Sequence, residues 1–230
     1  MPIALLDDSD PPWFPHPDSA PDHGLLAVGG SLTTQRLLLA YSNGIFPWEL
    51  WGDPPLWHWH SPNPRFLLFP NEFTMPRSLK SALSKETFEI RVDTAFPEVI
   101  GSCSRIPRKD QPGSWIAPDM IEAYVQLHEE GYAHSFESFR NDKLVGGLYG
   151  ISLGRTFFGE SMFHEEDEAS KVALAQLVAF SKAKGFDFID CQIPTGHLAR
   201  LGARDVPRPE FLRLLKDSLE ATTLRGNWSL

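Results

Sequence analysis

From Leu144 to Leu174 the chain reads LVGGLYGISLGRTFFGESMFHEEDEASKVAL, two apolar runs parted by Leu153-Gly154 and followed by an acidic cluster that opens a long apolar-periodic segment. That order predicts a β-hairpin feeding a helix, and the rest of the chain must supply the sheet and the faces that bury it. Gly146, Gly147, Gly150 and Gly159 fall inside the strands, where glycine weakens pairing and marks the close approach of a ligand or a second backbone. Glu160 sits mid-strand among Phe157, Phe158, Met162 and Phe163. A carboxylate there needs a partner. Two readings stand side by side: a buried glutamate paired with a local Arg or backbone N–H, and a functional acid.

A chain of 230 residues with 42% hydrophobic content can bury a full core, as one large or two small domains. Runs such as LLLAY and FLLF are far below the roughly 20 residues of a bilayer-spanning helix, and MPIALLDDSDPP lacks the basic start and apolar stretch of a signal peptide. A cytoplasmic protein without membrane contact is expected. Cys103 and Cys191 are far apart and read as reduced thiols. The eight histidines form no evident ligand set: His58 and His60 are two apart beside tryptophans and the others are scattered, so no metal is expected.

The net charge of −9 opposes a general nucleic-acid binder, which needs a basic face. The distribution is uneven: Arg36 is the single base among residues 1–62, whereas Arg65, Arg77, Lys80, Lys85 and Arg91 follow within thirty residues. That cluster reads either as a small basic patch or as solvated surface.

Residues 1–30 read as an extended segment, 31–43 as a helix with Ser31 or Thr33 as its N-cap, and GIFPWELWGDPPLWHWHSPNPR as a loop by its prolines. The loop's tryptophans read as buried packing or as an aromatic platform for a base or apolar side chain. From Phe66 onward elements alternate: FLLF strand, 76–83 helix, FEIRVD strand, helices over AFPEVIGSC and 118–131, three successive strands, the long helix closed by Gly185, the buried strand FDFIDCQI, and helical HLARLG and PEFLRLLKDSL. This is an α/β (α+β) pattern in the order of the N-acetyltransferase-like fold, and fold alone does not fix chemistry. An acetyl-CoA enzyme would place a glycine-rich phosphate loop at the start of the long helix. Here that loop is HEEDEASK, whose acids Glu165 to Glu168 repel a pyrophosphate, although acids also suit a helix N-terminus.

Taken in order, GLLAVGGSL, AYSNGIFPW, WHSPNPR, SWIAPDMIEAYVQLHEEGYAHSFE, LVGGLYG, FFGESMF, ASKVAL and FIDCQIPTGHLARLGA cover nearly the whole chain. In these segments it resembles the leucyl/phenylalanyl-tRNA-protein transferase family. The resemblance implies a small N-terminal domain, residues 1–65, joined to an N-acetyltransferase-like (GNAT) domain with a central mixed sheet, residues 66–230. It implies a monomeric enzyme that moves Leu, Phe or Met from aminoacyl-tRNA to proteins beginning with Arg or Lys, marking them for degradation, with no cofactor.

The same resemblance assigns roles. Asp190 and Gln192 match the catalytic pair, Glu160 an acid that binds the acceptor, and Trp48, Trp115, Leu148, Phe157 and Ile189 the surroundings of the aminoacyl-adenosine. Arg77 and Lys80 are expected on the tRNA backbone. Leu148 stands where relatives often carry Met, Phe139 where they carry Trp, and His164 where Ser is common. Independently of the family, Asp190 and Gln192 are two apart on an apolar strand, so they should share a face and bond each other, while Cys191 turns the opposite way as a core thiol.

Overall fold

The computed structural model describes residues 3–106 and 115–230. The first residues build a four-stranded sheet in the order β1-β2-β4-β3 from β1 (Ala4–Leu6), β2 (Leu25–Gly29), β3 (Phe46–Trp51) and β4 (Leu56–His60). Helix α1 (Thr34–Ser42) lies between β2 and β3, and the Thr33 side chain accepts from the Arg36 amide to cap it. Most of the loop expected over residues 44–65 is therefore a hairpin, from Phe46 to His60. Its Pro47 is tolerated because β3 is the edge strand, where a missing N–H breaks no interior ladder. The hairpin is anchored by Trp57 and Trp59, both buried, with Trp59 Nε1 donating to the Gly29 carbonyl at 2.8 Å.

The second sheet runs β11-β5-β10-β9-β8-β7-β6. Its strands are β5 (Arg65–Leu68), β6 (Glu89–Val92), β7 (Ala133–Arg140), β8 (Lys143–Leu153), β9 (Thr156–His164), β10 (Phe188–Asp190) and β11 (Arg204–Val206). The β9–β10 pair is parallel and the other pairings are antiparallel, so the sheet is mixed. Helices α2 (Arg77–Ser84), α3 (Phe96–Arg105), α4 (Pro118–Glu129), α5 (Ala169–Lys184), α6 (Gly196–Arg200) and α7 (Arg208–Leu219) complete the order. Every element expected from Phe66 onward is present; the short edge strand β11 carries too little apolar pattern to be read from sequence. Ser114, which opens the SWI motif, lies outside the described residues.

Strand alternation divides the core. One face of β9 gives Phe158 to a cluster with Tyr41, Tyr124, Trp59 and Phe188, which joins both sheets. The other gives Phe157 to a cluster with α5 residues Leu174, Leu177 and Phe180 and with Trp228. Arg208 ties the first sheet's region to α7 by donating to the carbonyls of Ser61 and Ala20, each at 2.6 Å. The close approaches announced by the strand glycines come from the chain itself. A Cβ on Gly146 would lie 2.5 Å from that of Ala169 in α5, and one on Gly150 would strike the Phe158 carbonyl. Among the described residues no helix is long and apolar enough to cross a membrane.

Candidate active site

A cavity of about 550 Å³ opens between the two sheets, lined by Phe46 and Trp48 of β3, Trp115, Leu148 of β8, Glu160 and Met162 of β9, Leu174 and Leu177 of α5, and Ile189, Cys191 and Gln192. Two irregularities aim side chains at it. Pairing of β3 with β4 skips Trp48, between Pro47↔Trp59 and Glu49↔His58. Pairing of β9 with β8 skips Glu160, between Tyr149↔Ser161 and Gly150↔Gly159. Each is an extra residue in its ladder, the kind of β-bulge that re-aims a side chain beside a functional site.

Glu160 is 8% exposed. Its Oε1 accepts from Tyr41 Oη at 2.8 Å and from Gln192 Nε2 at 2.7 Å, and its Oε2 accepts from Tyr124 Oη at 3.2 Å. The two phenol oxygens are also within hydrogen-bond distance of each other, so their two protons are shared among three contacts. Among the described residues neither an arginine nor a backbone N–H is its partner, and two tyrosines and an amide take the place of the local Arg pair. Burial pushes the Glu160 carboxyl up to about 7 against the pull of those three donors, and the charge of Asp190 adds to the rise. Burial, with the charge of Glu160 next, holds both phenols well above their ordinary range, which keeps them protonated as donors.

Asp190 and Gln192 do not share a face as expected. Strand β10 ends at Asp190, and Gln192 takes a left-handed φ of 62°, breaking the alternation. The Gln192 side chain enters the cavity wall and donates to Glu160, while its backbone N–H donates to Asp190 Oδ1 at 2.9 Å. Asp190 itself is fully buried, with Arg65 Nε 2.9 and 3.0 Å from its two oxygens and Arg65 Nη2 2.7 Å from Oδ2. The guanidinium is packed against the rings of Phe46 and Phe211, 4.8 and 4.6 Å from their centroids, and Nη1 donates to the Gly44 carbonyl. Cys191 is half-buried: it packs against the cluster that holds Phe157 and α5, as a core thiol would, and it also reaches the cavity wall. Burial pushes its thiol up, which opposes a nucleophilic role.

Of the remaining expected residues, Trp48, Trp115, Leu148 and Ile189 line the cavity, whereas Phe157 is fully buried behind the wall, its ring against the position a Gly150 Cβ would take. Arg77 and Lys80 are exposed on α2, outside the lining. The acids after β9 are occupied locally: Glu165 with Lys143, Glu166 with Arg140 and Glu168 with Lys171. Sequence reasoning missed Arg65, Tyr41 and Tyr124, although each stands inside a quoted motif, WHSPNPR, AYSNGIFPW or the segment beginning SWIAPDM.

The family model described as leucyl/phenylalanyl-tRNA protein transferase matches residues 67–216, and that of its N-terminal domain matches residues 30–63. The chain belongs to the leucyl/phenylalanyl-tRNA protein transferase family. The family's member in Myxococcus xanthus is 50% identical over 229 residues, covering 100% of this chain and 97% of its own. That of Legionella pneumophila strain Paris is 55% identical over 217 residues, 94% of this chain and 96% of its own. That of Desulfatibacillum aliphaticivorans is 51% identical over 230 residues, 100% and 97% respectively. Membership makes the chain a transferase, of which aminoacyl-tRNA and a protein are the two substrates. Among solved structures, an aminoglycoside acetyltransferase from a soil metagenome is a distant likeness, 16% identical over 62% of this chain and 96% of its own with a TM-score of 0.36.

Proposed function

We propose that this chain transfers Leu, Phe and Met from aminoacyl-tRNA to the N-terminal α-amine of proteins that begin with Arg or Lys, marking them for degradation, as a cytoplasmic monomer. Residues 1–65 are read as the small N-terminal domain and 66–230 as the aminoacyltransferase domain. Two separate sheets, one complete at His60 and the other starting at Arg65, support that division.

The observation that carries the reading is the Gln192 amide on the wall of a largely apolar cavity, held at its nitrogen by Glu160 and at its backbone by Asp190. Aminolysis of an aminoacyl ester forms the C–N bond to the incoming amine and breaks the C–O bond to the terminal ribose. The amine proton ends on the ribose oxygen that leaves. The ester already carries the activation, so the step needs orientation, charge complementarity and help with one proton. With Nε2 given to Glu160, the Gln192 carbonyl oxygen can accept from the attacking amine. Asp190 acts through Gln192, fixing its backbone turn. Glu160, poised near neutrality, supplies negative charge to the acceptor's cationic end.

Trp48 and Trp115 are the proposed seats of the terminal adenosine, and Leu148 and Ile189, backed by Phe157, those of the amino-acid side chain. Arg77 and Lys80 are proposed to contact the tRNA backbone, their exposure supporting an external role.

The test is incubation with radiolabelled Leu-tRNA or Phe-tRNA and an Arg-starting peptide in EDTA, without ATP or acetyl-CoA. Label is expected on the peptide α-amine with release of free tRNA. Binding without transfer, or dependence on acetyl-CoA, overturns the reading.

A further inference from the structure

On the hairpin of β3 and β4, behind the lining residues Phe46 and Trp48, the side chains of Glu49, His58 and His60 converge. Glu49 of β3 and His58 of β4 are direct cross-strand partners, and His60 follows His58 on the same face at the two-residue period of a strand. One ligand atom from each lies within 4.8 Å of the other two. The bulge at Trp48 brings Glu49 into this register, since it shifts the residues of β3 by one against β4.

His60 is the informative member. It is 7% exposed; the backbone of His23 lies beside its ring, and at least one of the two ring nitrogens has no hydrogen-bond partner among the described residues. Its ring is held by Trp48, edge-on at 4.9 Å, and by Phe46 at 6.2 Å. An ordinary pair between His58 Nδ1 and Glu49 Oε1, 3.6 Å apart, accounts for two of the three residues and leaves a buried ring nitrogen of His60 without a partner. An ion bound by all three accounts for His60 as well.

We propose that Glu49, His58 and His60 bind a divalent transition-metal ion, with Zn²⁺ as the fitting occupant. Two imidazoles and one carboxylate are a borderline donor set that suits zinc rather than calcium or magnesium, which prefer all-oxygen shells. Ligand atoms around zinc lie at about 2.0–2.2 Å from the ion. The ligand atoms of Glu49, His58 and His60 lie within 4.8 Å of one another, with His58 Nδ1 and Glu49 Oε1 already 3.6 Å apart. The ion's place on β3 and β4, against the ring that touches Trp48, makes it a clamp for the hairpin that carries this cavity residue. It takes no part in acyl transfer.

The test is equilibrium dialysis of the EDTA-stripped full chain against Zn²⁺, with melting temperature followed in parallel. One equivalent bound and a rise in melting temperature are expected for the wild type. Glu49→Gln and His58→Ala should each weaken binding by at least roughly tenfold. Glu49 is exposed, so Glu49→Gln should melt like the wild type in EDTA, which separates lost binding from misfolding. Failure of the wild type to retain zinc at micromolar free metal, or undiminished binding in both variants, overturns the proposal. Neither result bears on the transfer reaction, which is assayed in EDTA.

Discussion

Arg65 and Asp190, 125 residues apart in sequence, form a bidentate ion pair with both side chains fully buried. Removing one member of such a pair leaves an uncompensated charge, a loss of about 3–5 kcal/mol, whereas replacing both by apolar groups of similar volume is often nearly neutral. Arg65→Met is therefore expected to lower unfolding free energy by about that amount, and Arg65→Met with Asp190→Leu to recover most of it. The double variant should remain inactive if Asp190 orients Gln192. Urea unfolding and the transfer assay, run on both, separate the brace from the reaction; an active, stable double variant would remove Asp190 from the mechanism.

Glu160 imposes a pH dependence on stability. Its ordinary value of 4.5 in the unfolded chain rises to about 7 in the fold. Between these values the unfolded state binds fewer protons than the native state, so stability falls as pH rises from about 4.5 to 7. The shift is on the order of 3 kcal/mol. Glu160→Gln should abolish this slope, gaining on the wild type as pH increases. Parallel pH profiles of unfolding free energy in the two proteins would contradict it. In transfer, Glu160→Gln should raise KM for an Arg-starting peptide far more than it weakens aminoacyl-adenosine binding.

The phenols of Tyr41 and Tyr124 hold the Glu160 carboxyl down against burial, Tyr41 more strongly. Tyr41→Phe should move the acid limb of the kcat/KM profile to higher pH, and Tyr124→Phe should move it less. An acid limb unmoved in both variants would show that another group sets it.

The side-chain end of the cavity, with Leu148 and Ile189 at its wall, should accept Leu, Phe and Met and reject the β-branched Ile and Val. A misplaced methyl in such a pocket costs about 1–3 kcal/mol, or roughly 10–200-fold in kcat/KM. Leu148→Ala should lower use of Leu-tRNA and narrow its margin over Ile-tRNA. Equal use of the two by the wild type would refute this description of the pocket.

The sequence by itself determined the hairpin of β8 and β9, the long helix α5 with its left-handed Gly185 cap, and the family, because periodicity, caps and contiguous motifs are local properties. It also singled out Glu160, an acid in an apolar strand. It misread the hairpin from Phe46 to His60 as loop, since Pro47 forbids an interior strand but not an edge strand, and only the assembled sheet reveals which strand is the edge. It paired Asp190 with Gln192 on one face because strand alternation was extended two residues past the point where β10 ends. The partners themselves are tertiary: Tyr41, Tyr124 and Gln192 reach Glu160 across 119, 36 and 32 residues. Contacts over such separations depend on how sheets and helices stack, and no local pattern encodes them.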